Sequence, residues 1–125
     1  MSNLIRQNPG YVAAAAMAAF AVIKPGAVDG ACLPATAATD LLLGVSDGLA
    51  KDVGEMVDAP SAGVGEVRLG AAVTRGQKLT ADASSKAVPC APGAGVNHHY
   101  FGVALQSGVA DDVVLYQVGL GVMQG

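Results

Sequence analysis

At 125 residues the chain is long enough for one domain with one core, and its formal net charge of −3, with seven scattered basic residues, leaves no basic face for a nucleic-acid backbone or an anionic membrane. Apolar residues make up 52% of the sequence but aromatics only 4%, and alanine and glycine together supply about a third, so each buried side chain removes little area from water. Such a composition favours burial between subunits as a supplement to a modest core.

Residues Met1 to Gly10 are polar and end in Pro9-Gly10, the pattern of an extended arm or a disordered leader. The longest apolar run follows, Tyr11 to Ile23. It is shorter than the roughly 20 apolar residues a membrane-spanning helix needs, and we read it as structural rather than as a signal sequence. Alanine favours helix over Ala13 to Ala19, whereas Phe20, Val22 and Ile23 ahead of Lys24-Pro25-Gly26 favour a strand entering a turn. A strand is expected over Ala18 to Lys24, with Val12 to Met17 open between helix and strand. The expected organisation is an N-terminal arm over residues 1–17 and a single β-rich domain over 18–125.

From Pro25-Gly26 onward, turn signals recur about every ten residues: Asp29-Gly30, Asp47-Gly48, Ala59-Pro60-Ser61, Arg75-Gly76, Ser84-Ser85, Pro92-Gly93 and Ser107-Gly108. Short apolar runs lie between them, at Ala31 to Pro34, Leu41 to Val45 and Glu55 to Ala59. In Val64 to Pro89, residues Val67, Leu69, Ala71 and Val73 share one parity against Glu66, Arg68 and Ala72 on the other, which is a strand with one face on a core. Turns at Arg75-Gly76 and Ser84-Ser85 then divide off two more short strands. In Tyr100 to Leu105, Phe101, Val103 and Leu105 share a parity and are expected in the interior or a subunit interface, with the small Gly102 and Ala104 on the other parity. Asp112 to Leu120 is apolar on both parities, which suits a central strand or one covered by another subunit. Even spacing of many short strands predicts an all-β fold, a small β-barrel or β-sandwich of short strands with an extended N-terminal arm.

No constellation carries catalytic chemistry. His98 and His99 are adjacent, so on a strand they point to opposite faces and cannot share one ion within the chain. Cys32 and Cys90 form no CxxC motif and read as separate buried thiols. The serines stand beside turns without a nucleophile elbow, and the carboxylates are dispersed. Gly63-Val64-Gly65 lacks the third glycine of a phosphate loop. No lysine has the flanking pattern of a lipoyl or biotinyl attachment site. The expectations are therefore no enzyme, no catalytic or metal residue, and no cofactor.

The order of motifs resembles that of the small capsid decoration (cement) proteins of tailed bacteriophages, a family formerly catalogued as a domain of unknown function. The matching pieces run from Ala21 to Gly30, Ala35 to Gly48, Gly54 to Ala59, Gly65 to Val88 and Phe101 to Val118. The family's Asp-Gly turn before Lys86 is Ser84-Ser85 here, and Cys90 to His99 matches no family pattern. The resemblance implies a structural virion protein on the outer surface of a phage head, bound to the major capsid protein and stabilising the assembled shell. A tail or head-fibre module is the alternative. It further implies self-association, a homotrimer with a dimer as the alternative, and no direct contact with nucleic acid or membrane. The arm is expected to touch the shell or a neighbouring copy, with Arg6, Tyr11 and Val12 as the contact residues.

Overall fold

Residues 10–60 and 62–125 are described in a computed structural model, and they form ten strands and no helix. The all-β expectation holds. The strands are β1 (Gly10–Ala13), β2 (Val22–Pro25), β3 (Ala31–Pro34), β4 (Gly44–Val45), β5 (Met56–Asp58), β6 (Val64–Arg68), β7 (Lys78–Ala81), β8 (Ala87–Pro89), β9 (Asn97–Ala104) and β10 (Val113–Gln124). They divide into two five-stranded sheets, ordered β4-β2-β3-β1-β5 and β6-β10-β9-β7-β8.

The Val12 to Met17 question resolves to strand and extended chain. β1 runs parallel to β3 and antiparallel to β5, and Met17 makes an isolated antiparallel bridge to Lys51. Alanine's helix propensity amounts to a few tenths of a kcal/mol per residue over most alternatives, and two flanking strands that each supply backbone partners outweigh it. Residues 10–13, expected in the arm, are thus part of the first sheet, while residues 1–9 lie outside the described residues, as does Ser61 of the predicted Ala59-Pro60-Ser61 turn.

Both sheets curl. In the first, β4 and β5 are opposite edges, yet a Cβ on Gly44 would lie 3.5 Å from both Ala59 Cβ and Pro60 O. The space enclosed holds Ala13, Met17, Ile23, Cys32, Val57 and Ala59, with Tyr11 and Leu43 packed against them. In the second sheet the edge strands β6 and β8 are joined past their ends by a bridge between Leu69 and Ala87, whose carbonyl accepts from Gly70 N–H at 2.8 Å. The resulting half-barrel holds the larger core, including Val67, Leu69, Leu79, Phe101, Val114 and Tyr116. Val22, Ala35, Leu42 and Val45 from the first sheet complete it. β2 is consequently buried on both faces, with Val22 on one core and Ile23 on the other. Asp112 to Leu120, expected to be central or covered by another subunit, forms most of β10, which lies between β6 and β9, buries Val114 and Tyr116 and leaves Leu115 and Leu120 exposed.

Tyr116 is the centre of the larger core. Its ring meets Phe101 edge-on, with centroids 5.1 Å apart and planes at 82°, a favoured aromatic geometry. Glycines on both neighbouring strands make room for it: a Cβ on Gly65 of β6 would lie 2.9 Å from the ring, and one on Gly102 of β9 would lie 2.6 Å from it and collide with Gln117 O. Within the single chain, the core-facing parity of β9 beyond Phe101 is that of the small residues. Gly102 and Ala104 face the core because Tyr116 and Val118 lie across from them, and Val103 is half-buried while Leu105 is exposed. Phe101 is buried as expected, beside the register shift between Val118 and Gly121 that puts Gly119 and Leu120 opposite it.

The two sheets are tied at Ser85. In the turn between β7 and β8, Asp82 Oδ1 accepts from Ser84 N–H at 2.8 Å and Lys86 N–H at 3.0 Å, and Ser85 takes a left-handed conformation with φ of 62°. Glycine would adopt that φ without strain, but it would lack the hydroxyl that donates to Ala35 O. Ser85 C=O also accepts from Val22 N–H at 2.8 Å. Both partners belong to the first-sheet half of the molecule.

Four substitutions test this packing by their effect on stability. Ser85→Ala keeps the φ strain and leaves a buried carbonyl short of its donor, for a loss of about 1–3 kcal/mol. Ser85→Gly loses the same bond but gains back roughly 1–2 kcal/mol of strain, so urea unfolding should rank the parent and Gly close together and Ala below them. Ala as stable as the parent contradicts the joint. Gly102→Ala should cost about 1–3 kcal/mol through overpacking. Tyr116→Phe should stay within about 0.5 kcal/mol of the parent, because the buried hydroxyl has no hydrogen-bond partner among the described residues.

Candidate interaction surfaces

The polar residues are occupied with holding the fold. Ser46 is buried, its Oγ accepting from Ala21 N–H at 2.9 Å, and Ser107 Oγ accepts from Arg75 N–H at 2.9 Å. Lys24 pairs with Asp40 at 3.4 Å, Lys51 with Asp47 at 3.3 Å and Lys86 with Asp111 at 2.7 Å, while Lys78 Nζ stands 4.8 Å over the Tyr100 ring. Burial alone would raise the Asp40 carboxyl, but N–H donation from Thr36 and Ala37 and the charge of Lys24 hold it below the usual range. The hydrogen bond and charge of Lys86 lower Asp111, which stands exposed in the turn before β10.

Cys32 and Cys90 are separate buried thiols, the first inside the smaller core. Burial raises both, and at Cys90 it outweighs nearby Lys78, so neither has the thiolate character of a nucleophile. His98 and His99 lie in β9 opposite Met123 and Val122, on alternate faces as their adjacency required. Among the described residues no group of three His, Cys, Asp or Glu side chains could hold a metal ion.

Among the described residues, exposed apolar side chains accompany two of the surface concavities. The larger, about 330 Å³, opens where the sheets meet. Phe20, Pro60, Val64 and Leu115 supply its apolar wall, and Asp47, Asp58 and Glu66 stand among them. Phe20 holds its place through a left-handed backbone, with φ of 56°, N–H donation to Asp47 O at 2.9 Å, and a carbonyl that accepts from Arg68 N–H at 3.3 Å. The smaller groove, about 200 Å³, runs between Leu41 and Leu42 and the far end of the β9–β10 ribbon at Tyr100, Leu120 and Val122. The bond from His99 N–H to Ala38 O at 2.8 Å pins that ribbon to the β3–β4 connection.

Of the expected contact residues, Arg6 lies outside the described residues. Tyr11 and Val12 are adjacent in β1 and so point to opposite faces of the first sheet. Tyr11 is half-buried against the smaller core, whereas Val12 is 43% exposed. Across the β1–β5 ladder Val12 pairs with Met56, itself 57% exposed, and the two make an outward apolar pair. Asp58 shares that face two residues on and opens into the larger cleft. Sequence reasoning missed Met56 and the cleft residues, because their proximity depends on how the sheets curl.

No family model and no curated protein matches the sequence. The fold has a counterpart among solved structures. The chain is similar to the crystal structure of the head fibre gp8.5 N base of bacteriophage phi29, with a TM-score of 0.65 over 90% of this chain and 92% of that one, at 18% identity. A likeness at that identity is a likeness of fold. Its subject is a head-fibre base, not a cement protein.

Proposed function

We propose that this chain is a non-enzymatic structural module of a phage particle, seated on the outside of the head in the manner of a head-fibre base. The observation that carries the reading is the match in fold to the phi29 head-fibre base along nearly the whole of both chains. The sequence motifs alone put a tail or head-fibre module second to a decoration protein, and the fold likeness favours the head-fibre module. The collinear motifs resembling cement proteins keep decoration as the second reading, and both put the chain against the major capsid protein of a head.

A module of this kind needs area and symmetry rather than a pocket with converging catalytic groups. Binding the assembled shell and not its separated subunits stabilises the shell by RT ln(1 + [L]/Kd) at each occupied site. The outward pair Val12 and Met56, with Tyr11 at the rim of the smaller core, is the proposed shell contact. Self-association as a trimer, or failing that a dimer, would multiply weak contacts into firm attachment.

Purified protein mixed with isolated heads and, separately, isolated tails of the phage that encodes it should co-sediment with heads alone. Val12→Glu places a charge in the proposed contact and should weaken head binding about tenfold or more, as loss of a central apolar anchor does. The exposed position should leave the unfolding midpoint nearly unchanged. Binding to tails alone contradicts the head assignment, and undiminished head binding by Val12→Glu removes the proposed contact.

A further inference from the structure

The cleft where the sheets meet is bounded on one side by a strand edge. Among the described residues β6 pairs only with β10, and the bonds from Leu69 N–H to Asp112 O and from Val118 N–H to Gly63 O, each 2.8 Å, turn its odd-numbered residues toward β10. Val64, Glu66 and Arg68 therefore direct their backbone N–H and C=O groups outward. Phe20 O meets Arg68 N–H there, at 3.3 Å. Beyond that one rung, Val64 and Glu66 have no backbone partner on the outer side among the described residues.

The side chains along this edge are graded for a ligand. Val64 and Glu66 share a strand face, and Leu115 lies opposite Glu66 on β10, so the three stand together on the outer side of the second sheet. The rest of the lining includes Phe20 and Asp58, from the first-sheet half of the chain. Phe20 reaches the cleft only through its left-handed backbone, and Gly48 makes room for the ring, since a Cβ there would lie 3.0 Å from it. Strain of this kind in a bulky residue persists where the surroundings enforce it, and it concentrates at ligand clamps. Among the described residues neither Asp58 nor Glu66 has an ion-pair partner, whereas the nearby Asp47 is paired with Lys51.

Open backbone groups, an apolar wall and two uncommitted carboxylates together suit an extended peptide whose alternate side chains are apolar and basic. The described part of a second copy does not supply one. Lys24, Lys51 and Lys86 are in ion pairs, Lys78 lies over Tyr100, and Arg68 donates to Asp111 O at 3.2 Å. Arg75 is left, and it stands in a tight turn, closed by Gln77 N–H donating to Thr74 O at 3.1 Å, rather than in an extended segment.

We propose that the cleft captures an extended segment of a different protein by strand addition to β6, with a lysine or arginine beside Asp58 and Glu66 and, two residues away, an apolar side chain on the wall formed with Val64 and Leu115. A strand places residues i and i+2 on the same face, so one basic and one apolar residue at that spacing both reach the cleft. The backbone bonds to Val64 and Glu66 supply affinity, and the carboxylates select the sequence.

The probe is the end-capped synthetic peptide Thr-Val-Thr-Arg-Thr-Val-Thr, which reads alike in both directions and so suits a parallel or an antiparallel strand. Titrated into the full-length chain without heads, it should slow amide hydrogen exchange, read by NMR, at least fivefold at Val64 and Glu66 and leave the core amide of Leu79 unchanged. The same peptide with Glu in place of Arg should need at least tenfold more peptide for the same effect. Asp58→Asn/Glu66→Gln, which keeps the side-chain shapes and removes both charges, should weaken the Arg peptide at least tenfold, with the Leu79 rate reporting an intact fold. Absence of slowing by the Arg peptide, an equal response to the two peptides, or an undiminished response in the double variant overturns the proposal. So does slow exchange at Val64 and Glu66 before any peptide is added: in a monomer it means that the edge is covered from within the chain, and in a dimer or trimer that a second copy covers it. Because the free protein is measured, the result is independent of the phage-head reading.

Discussion

The seat of Tyr116 between Gly65 and Gly102 is the constraint on which the larger core rests. With three Tyr, two Phe and no Trp in the chain, one tyrosine and one phenylalanine meeting edge-on supply much of the apolar area that the second sheet can bury. The ring's size dictates its surroundings. Neighbouring strands must present glycine where they face it, which turns the small residues of β9 inward and leaves Val103 and Leu105 toward the outside. Closing the half-barrel through Leu69 and Ala87 then positions the β7–β8 turn against the first sheet, where Ser85 reaches Ala35 and Val22. A left-handed serine is tolerated because its hydroxyl does what glycine could not.

These same choices account for the exterior. A chain that fills two small curled cores chiefly with Ala, Val and glycine-flanked rings has apolar residues left over, and Val12, Met56, Leu115, Leu120 and Val122 stay exposed. On an isolated small domain such residues invite association. Spread over β1, β5 and the β9–β10 ribbon, they leave apolar area open to a partner. Among the described residues, in contrast, several polar side chains are bound up in turns and ion pairs, and the two thiols are buried.

Much of the strand plan was legible because glycine, proline and aspartate mark its corners. Ala31 to Pro34 was read to its ends, and the alternation through Val67, Leu69 and Val73 placed all three in the core. Other features have no local signal. The alanine-rich stretch hid β1, whose stability comes from two flanking strands rather than from its own residues. The inward turn of Gly102 is unreadable without knowing that a tyrosine lies across the ladder. Parallel pairing of β1 with β3 and the curling of both sheets are long-range properties, so the cleft, built from Phe20, Asp58, Val64, Glu66 and Leu115, could not be seen as a unit. Of the expected contacts, only Val12 could be located as a clearly exposed apolar residue.

Two curled sheets, locked together through Ser85 and with Tyr116 at the centre of the larger core, form the module that we propose is mounted on a phage head. A cryo-electron microscopy reconstruction of the virion that carries this chain tests it most directly. The account predicts density on the outer face of the shell into which the two-sheet module fits as a rigid body, with the Val12 and Met56 face toward the capsid. Density for the module on the tail, or in the head interior, would contradict it.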